Sequence, residues 1–238
     1  MAKVLDYDFE RSIWSKVLPI VGGTGSGVGG YYLSEGNPII ALISGGAGAV
    51  AGYGGAIAYE DGKVFDKSGY GNTGYLRNGA HVEDGVLVLD GDDDYVLVPD
   101  DPSLDVGKIT VSLDFTRRTV ADEGITTLIG KFQDGNNYWV VWLRRADHEN
   151  AEISFTTEVD GERSSVGTGR RITPGRYAVD CEFDGSELAM YLSGEEVDRS
   201  PGKLATYEAD VYIGSQRGGR FAHCNFRRVS IHDRAVHA

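Results

Sequence analysis

Cysteine is almost absent: Cys181 and Cys224 are the only two in 238 residues. Two thiols make no disulfide framework, and their spacing fits no zinc site. Both fall in strand-like text, which predicts two buried free thiols. Lysine is also scarce, with 7 against 16 arginines. The 23 basic residues are outweighed by 36 acidic ones, 22 of them aspartate. With no basic stripe to neutralise phosphates, nucleic acid is excluded as a partner. Gly22–Gly30 is glycine-rich but lacks the Lys-Ser/Thr ending of a phosphate loop. There is no Ser/His/Asp constellation and no Cys/His cluster. Residues 1–10 carry charge where the apolar core of a secretion signal would sit, so no signal peptide is expected.

What is present is an aspartate-rich, lysine-poor surface, the composition expected of a protein that stays soluble in high salt through self-repulsion. From residue 82 onward the pattern is that of strands. Ile109-Thr-Val-Ser-Leu-Asp-Phe115 alternates strictly, with one apolar face. Comparable runs are Val86–Leu89, Tyr95–Val98, Thr127–Phe132, Tyr138–Leu143, Glu152–Thr157, Arg176–Phe183, Glu187–Leu192, Val211–Ile213 and Phe226–Ile231. Asp-Gly or Ser-Gly turns separate many of them. Such spacing predicts an all-β, two-sheet antiparallel sandwich or jelly roll.

Two loops sharpen this expectation. Asp66-Lys-Ser-Gly-Tyr-Gly-Asn-Thr-Gly74 combines three glycines, an Asn and a capping Ser, residues that fix loop shape. Asp90-Gly-Asp-Asp-Asp94 runs straight into Tyr95–Val98. Together they resemble the laminin-G-like (LamG) branch of the concanavalin A-like lectin/glucanase superfamily. The opening strand Ala2–Glu10, the hairpin Phe183–Gly194 and the closing segment Phe226–Val236 resemble the same branch. The resemblance covers residues 1–10 and 60–238 and implies the jelly roll. It leaves function open, because that fold serves lectins, adhesins, glycosidases and spacers.

Residues 11–59 depart from the family. They hold 13 glycines and only three charges, Arg11, Lys16 and Glu35. A turn is expected at Ser34–Pro38 between two uncharged runs. Three readings compete: a membrane hairpin, a flexible linker, and an apolar arm for assembly. The spanning-length run Pro38–Tyr59 is rich in glycine, which disfavours helix. The assembly arm is favoured, because so large an apolar patch does not face water. Its expected contacts are Ile39, Ile40, Leu42 and Ile43, with Gly48 and Gly52 allowing close approach.

Three site chemistries are weighed. Glu158-Val-Asp-Gly-Glu162 matches in spacing the E-x-D-x-E motif of the superfamily's glucanases, but Asp160-Gly161 reads as a hairpin turn. The resemblance implies a structural Ca²⁺ through Asp66, Asn72 and Asp94. Against it, Arg227-Arg228 stand where the family is acidic, and the same residues serve equally as turn caps. Glycan contact is expected from Tyr138, Trp139 and Trp142 with Asn136 and Arg217, although alternation puts at least one of these aromatics in the core. The arginines Arg217 and Arg220 suit acidic sugars.

These features predict a non-enzymatic structural or adhesion protein. The expected setting is a virion or extracellular surface: a capsid decoration, turret or tail-fibre component of a virus of a halophilic host. Expected partners are further copies or other virion proteins through residues 11–59, and a host surface glycan, with membrane contact as the alternative for the insert. A cellular carbohydrate-binding protein and a glycosidase are the competing readings.

Overall fold

The computed structural model describes residues 2–9, 31–32, 38–39, 62–118 and 124–237. In chain order the strands are β1 (Lys3–Asp8), β2 (Tyr31–Tyr32), β3 (Pro38–Ile39), β4 (Lys63–Val64), β5 (Gly74–Arg77) and β6 (His81–Glu83). Then come β7 (Val86–Val88), β8 (Tyr95–Val98), β9 (Ile109–Arg117), β10 (Ile125–Phe132), β11 (Tyr138–Arg144) and β12 (Glu152–Val159). The last are β13 (Glu162–Gly167), β14 (Gly175–Phe183), β15 (Glu187–Leu192), β16 (Glu195–Pro201), β17 (Val211–Ile213) and β18 (Cys224–His232).

Two antiparallel sheets face each other. The first runs β16-β15-β14-β9-β18 and then divides. On the far side of β18, β7 pairs with Asn225–Phe226, while β1 pairs with Arg228–His232. The second sheet runs β13-β12-β11-β10-β17-β8-β5-β4. At one edge the sheets meet through polar contacts between β13 and β16: the Gly167 N–H donates to Asp198 Oδ2 at 2.9 Å and Ser200 Oγ to the Ser165 carbonyl at 3.3 Å. At the other edge the Lys67 N–H donates to the Asp6 carbonyl at 3.0 Å, tying the loop after β4 to β1.

Alternation builds the core. Ile109, Val111, Leu113 and Phe115 of β9 point inward against Trp139, Val141 and Leu143 of β11 and Ile153 and Phe155 of β12. Each buried side chain of this size contributes about 1.5–3 kcal/mol on leaving water. Cys181 and Cys224 are buried free thiols in the first sheet. Burial drives the Cys181 thiol well above its usual range, and Cys224 is pushed up to about 12 by the same cause.

Two buried cations brace the loops. Arg117 donates to the carbonyls of Ala146, His148, Glu149 and Ile172, and so holds the β11–β12 connection against the segment before β14. Lys131 pairs with Asp100 and Asp105 beside the Tyr207 ring. On the outer face of the first sheet, Glu182 Oε1 accepts the Val236 and His237 N–H groups at 2.6 and 2.9 Å, pinning the C-terminal segment.

Of the insert, the structure describes only the two-residue ladder of β2 and β3, with Tyr31 opposite Ile39 and Tyr32 opposite Pro38. The turn expected at Ser34–Pro38 lies outside the described residues except for Pro38, which belongs to β3. Ile40, Leu42, Ile43, Gly48 and Gly52 lie outside the described residues. Among the described residues, no helix is long and apolar enough to cross a membrane.

Candidate functional site

The two faces of β11 separate the three expected aromatics. Trp139 lies in the core between the sheets. Tyr138 and Trp142 turn to the outer face of the second sheet, where they form a second apolar cluster with Phe132, Val140 and Tyr212. Phe132 stands between them, its ring centroid 5.8 Å from Tyr138 and 6.2 Å from Trp142. Gly130 makes this packing possible: a Cβ there would lie 2.7 Å from the Phe132 ring.

This cluster is not an open platform. Tyr138 is 7% and Trp142 6% exposed. A roof explains the burial. The β17–β18 loop is fixed at its base by Gly214 N–H to the Leu128 carbonyl and Thr127 N–H to the Arg220 carbonyl, both 2.9 Å. Its tip is a tight turn in which Arg217 and Gly218 both take left-handed φ, 52° and 83°. Arg217 Nη2 then reaches the Gln133 carbonyl at 3.0 Å. Leu128 and Gln133 are about 17 Å apart along an extended strand, so the loop lies along the outer face. Arg220 sits over the Trp142 ring, 5.1 Å from its centroid. The expectation of a stacking surface is thereby corrected: all three aromatics are packing residues, and the polar rim beside the roof is what faces solvent.

That rim is built by two hairpin turns. Gln133–Asn137 connects β10 to β11, and Asp160-Gly161 connects β12 to β13. They are joined by Gly161 N–H to the Asn136 carbonyl at 3.1 Å and Asp160 N–H to Asn137 Oδ1 at 3.1 Å. Asp160 and Gly161 both have left-handed φ, 51° and 80°, as a two-residue hairpin turn requires. The turn places Glu158 opposite Arg163 and Val159 opposite Glu162. Successive residues of a strand face opposite sides, so Glu158 and Glu162 point away from each other. The glucanase-like spacing therefore makes no paired carboxylates.

Glu158 instead joins a fixed polar array. Tyr138 Oη donates to Glu158 Oε2 at 2.6 Å, Arg163 Nε donates to the same oxygen at 2.8 Å, and Arg163 Nη2 donates to Tyr138 Oη at 2.8 Å. The hydrogen bond from Tyr138 holds Glu158 below the usual carboxylate range, with Arg163 adding to it against partial burial. Burial, then the bond to Glu158, raises the Tyr138 phenol. Both shifts favour a protonated Tyr138 donating to an ionised Glu158. The Arg163 side chain is 58% exposed. Its Nη1 group makes no hydrogen bond among the described residues. Asn136 and Arg217 are also exposed. Arg163 was absent from the sequence-based set, although the Asp160-Gly161 turn fixes its register opposite Glu158.

The three expected calcium ligands do not share a role. Asp66 Oδ1 accepts the Asp6 and Ser68 N–H groups, and Oδ2 accepts Ser68 Oγ and the Asn72 N–H. Asn72 spends its amide on the Val4 carbonyl and Ser103 Oγ. Both residues shape the loop and bind it to β1. Arg228 lies 3.6 Å from Asp6 beside this web. Asp94 belongs to a separate group with Asp90 and Asp93.

Two facing antiparallel sheets with this order form a jelly-roll domain of the lectin-like type. The profile of the concanavalin A-like lectin/glucanases superfamily, laminin-G type, matches residues 90–238. The chain belongs to that superfamily. No curated protein sequence matches it. Among solved structures, it resembles the receptor binding domain of botulinum neurotoxin mosaic serotype C/D, with TM-score 0.58 and 13% identity over 74% of this chain and 46% of that one. It also resembles a Trypanosoma rangeli sialidase, with TM-score 0.55 and 13% identity over 75% of this chain and 30% of that one. The chain thus matches less than half the length of either, and at this identity the likeness is one of fold.

Proposed function

We propose that the chain is a non-enzymatic surface module that recognises glycans through the rim of the second sheet. The observation that carries this reading is the Tyr138–Glu158–Arg163 array. It holds an outward guanidinium, oriented by the buried Glu158 carboxylate and the Tyr138 hydroxyl, on a rigid strand pair. Asn136 and Arg217 flank it across the same hairpin ends. Sugar hydroxyls need fixed donors and acceptors side by side, and a guanidinium pairs with a sugar carboxylate in bidentate fashion. The favoured ligands are therefore acidic glycans. Glu158 lacks a partner carboxylate at Glu162, which supports binding over hydrolysis.

The wider setting is proposed from composition. An acidic, lysine-poor chain suits high salt, and residues 11–59 suit assembly with further copies or with other proteins of a virion or extracellular surface. A glycan array probed in high salt tests the recognition. Acidic glycans should bind, and Arg163→Ala should reduce binding at least about tenfold, the loss of one charge-assisted contact. If no glycan binds, or Arg163→Ala binds as well as the parent, the reading fails. Light scattering of the chain with and without residues 11–59 tests the assembly role, which an unchanged oligomeric state would remove.

A further inference from the structure

Lys131 of β10 is 2% exposed and meets two carboxylates with one amine. Its Nζ donates to Asp105 Oδ1 and, at 3.4 Å, to the Leu104 carbonyl. Asp100 Oδ1 stands 3.2 Å from the same nitrogen. The Tyr207 ring lies beside the amine, its centroid 5.8 Å from Nζ, and Tyr207 Oη donates to the Lys131 carbonyl at 3.0 Å. Burial drives the Tyr207 phenol well above its usual range, a sign of how little water reaches this corner.

Backbone contacts hold both carboxylates in place. Asp105 follows the short helical turn Pro102–Leu104, and its N–H donates to the Pro102 carbonyl at 3.2 Å. Asp100 Oδ1 also accepts the Ala209 N–H at 3.0 Å, and the Asp100 N–H donates to Asp210 Oδ1 at 2.9 Å. Among the described residues, the Asp105 carboxylate makes no hydrogen bond or ion pair except with Lys131. A simple ion pair needs one carboxylate. The second gives the amine a place to send a proton. A nitrogen in hydrogen-bond contact with a carboxylate oxygen lies about 3–3.5 Å from the carboxyl carbon, the separation of a near-attack arrangement.

We propose that Lys131 and Asp105 condense in the folded protein to an isopeptide bond, with Asp100 carrying the protons. Lys131 Nζ passes a proton to Asp100, and the freed lone pair attacks Asp105 Cγ to form the N–C bond. Asp100 relays two of the three ammonium protons to one Asp105 oxygen, the C–O bond breaks, and that oxygen leaves as water. The third proton stays on the amide nitrogen. The charges of Lys131 and Asp105 cancel, and nothing is oxidised or reduced. Fixed proximity of this kind is equivalent to about 10⁵–10⁸ M of reactant, which offsets the unfavourable condensation of amine and acid in water. The Asp105 side chain is 22% exposed, which gives the water a way out. β8 belongs to the second sheet and β9 to the first, so the bond ties the crossover between them to β10. Cys181 and Cys224 are both free. The amide closes a loop spanning 26 positions and constrains the unfolded chain as a disulfide does.

Intact mass spectrometry of the full-length chain, followed by peptide mapping, reads the bond directly. Protein kept folded should weigh one water less than its sequence, and digestion should release a branched peptide joining Lys131 to Asp105. Chain kept in denaturant should retain its full mass, because the bond needs the folded approach. Lys131→Arg keeps the cation and should give no branched peptide. Asp100→Asn should slow formation of the bond about 10²-fold or more, the loss of a positioned proton carrier. A folded parent at its full sequence mass overturns the proposal, and so does a lost water that maps instead to a cyclised Asp-Gly step such as Asp160-Gly161. These two readings need only the parent, so they decide the matter even if a variant does not fold. Bond formation at the parent's rate in folded Asp100→Asn overturns the role given to Asp100.

Discussion

Replacing Asp66 with alanine should lower stability whether or not calcium is present. The carboxylate accepts three backbone N–H groups, from Asp6, Ser68 and Asn72, at 2.9, 2.8 and 3.1 Å, together with Ser68 Oγ. Hydrogen bonds to a charged acceptor contribute about 1.5–3 kcal/mol each, and partial rehydration recovers some of the loss. The expected cost of Asp66→Ala is therefore about 3 kcal/mol. Asp66→Asn keeps one acceptor oxygen and should cost about half as much. Because the Asp6 N–H belongs to β1, the amides of β1 should also exchange faster with solvent. Urea unfolding at constant salt, with calcium and with chelator, measures the effect. A midpoint shift with an unchanged slope reports stability itself. A loss below about 1 kcal/mol would refute the bonding account. A loss confined to calcium-containing buffer would make Asp66 a metal ligand after all.

Arg117→Met should cost about 3 kcal/mol, because it strips the donor from four carbonyls while filling most of the space; chemical denaturation measures it. Glu158→Gln should remove a pH-dependent part of stability. The folded-state pKa of Glu158 is depressed, so its contribution is present above the unfolded-state value and fades as pH falls through the folded one. Parent and variant should therefore converge in stability only as pH falls below the ordinary carboxylate range, and a gap that stays constant from neutral to acid pH would contradict this. Cys181 and Cys224 are buried with raised pKa values, so a thiol reagent should modify them only on unfolding, and rapid labelling of the native protein would contradict the core placement.

The alternating strands were legible because each buries one face. Ile109–Phe115 could be read directly, with its apolar face in the core, whereas Tyr138–Leu143 could be read as a strand but not for which aromatics its two faces bury. β13 (Glu-Arg-Ser-Ser-Val-Gly) and β16 (Glu-Glu-Val-Asp-Arg-Ser-Pro) could not. They are edge strands that meet each other across the sandwich, and the polar side chains that protect an edge erase the apolar alternation. The turn at Asp160-Gly161 was legible, since so short a hairpin fixes its own register. The burial of Trp142 and Tyr138 was not, because the roof over them depends on Arg217 reaching back to Gln133, a contact between residues 84 positions apart. The calcium expectation shows the same limit. Asp66, Asn72 and Asp94 all sit in loops of the right chemistry, but only the folded chain shows which carboxylates have already spent their lone pairs on backbone donors.

The most direct test of rim recognition is a heteronuclear NMR titration of the labelled protein in high salt with carboxylated oligosaccharides, following side-chain Arg and Asn signals. The account predicts that Arg163, Arg217 and Asn136 shift together and saturate, while the signals of the first sheet stay still. Shifts centred on the first sheet, or saturable binding that leaves Arg163 unmoved, would contradict it.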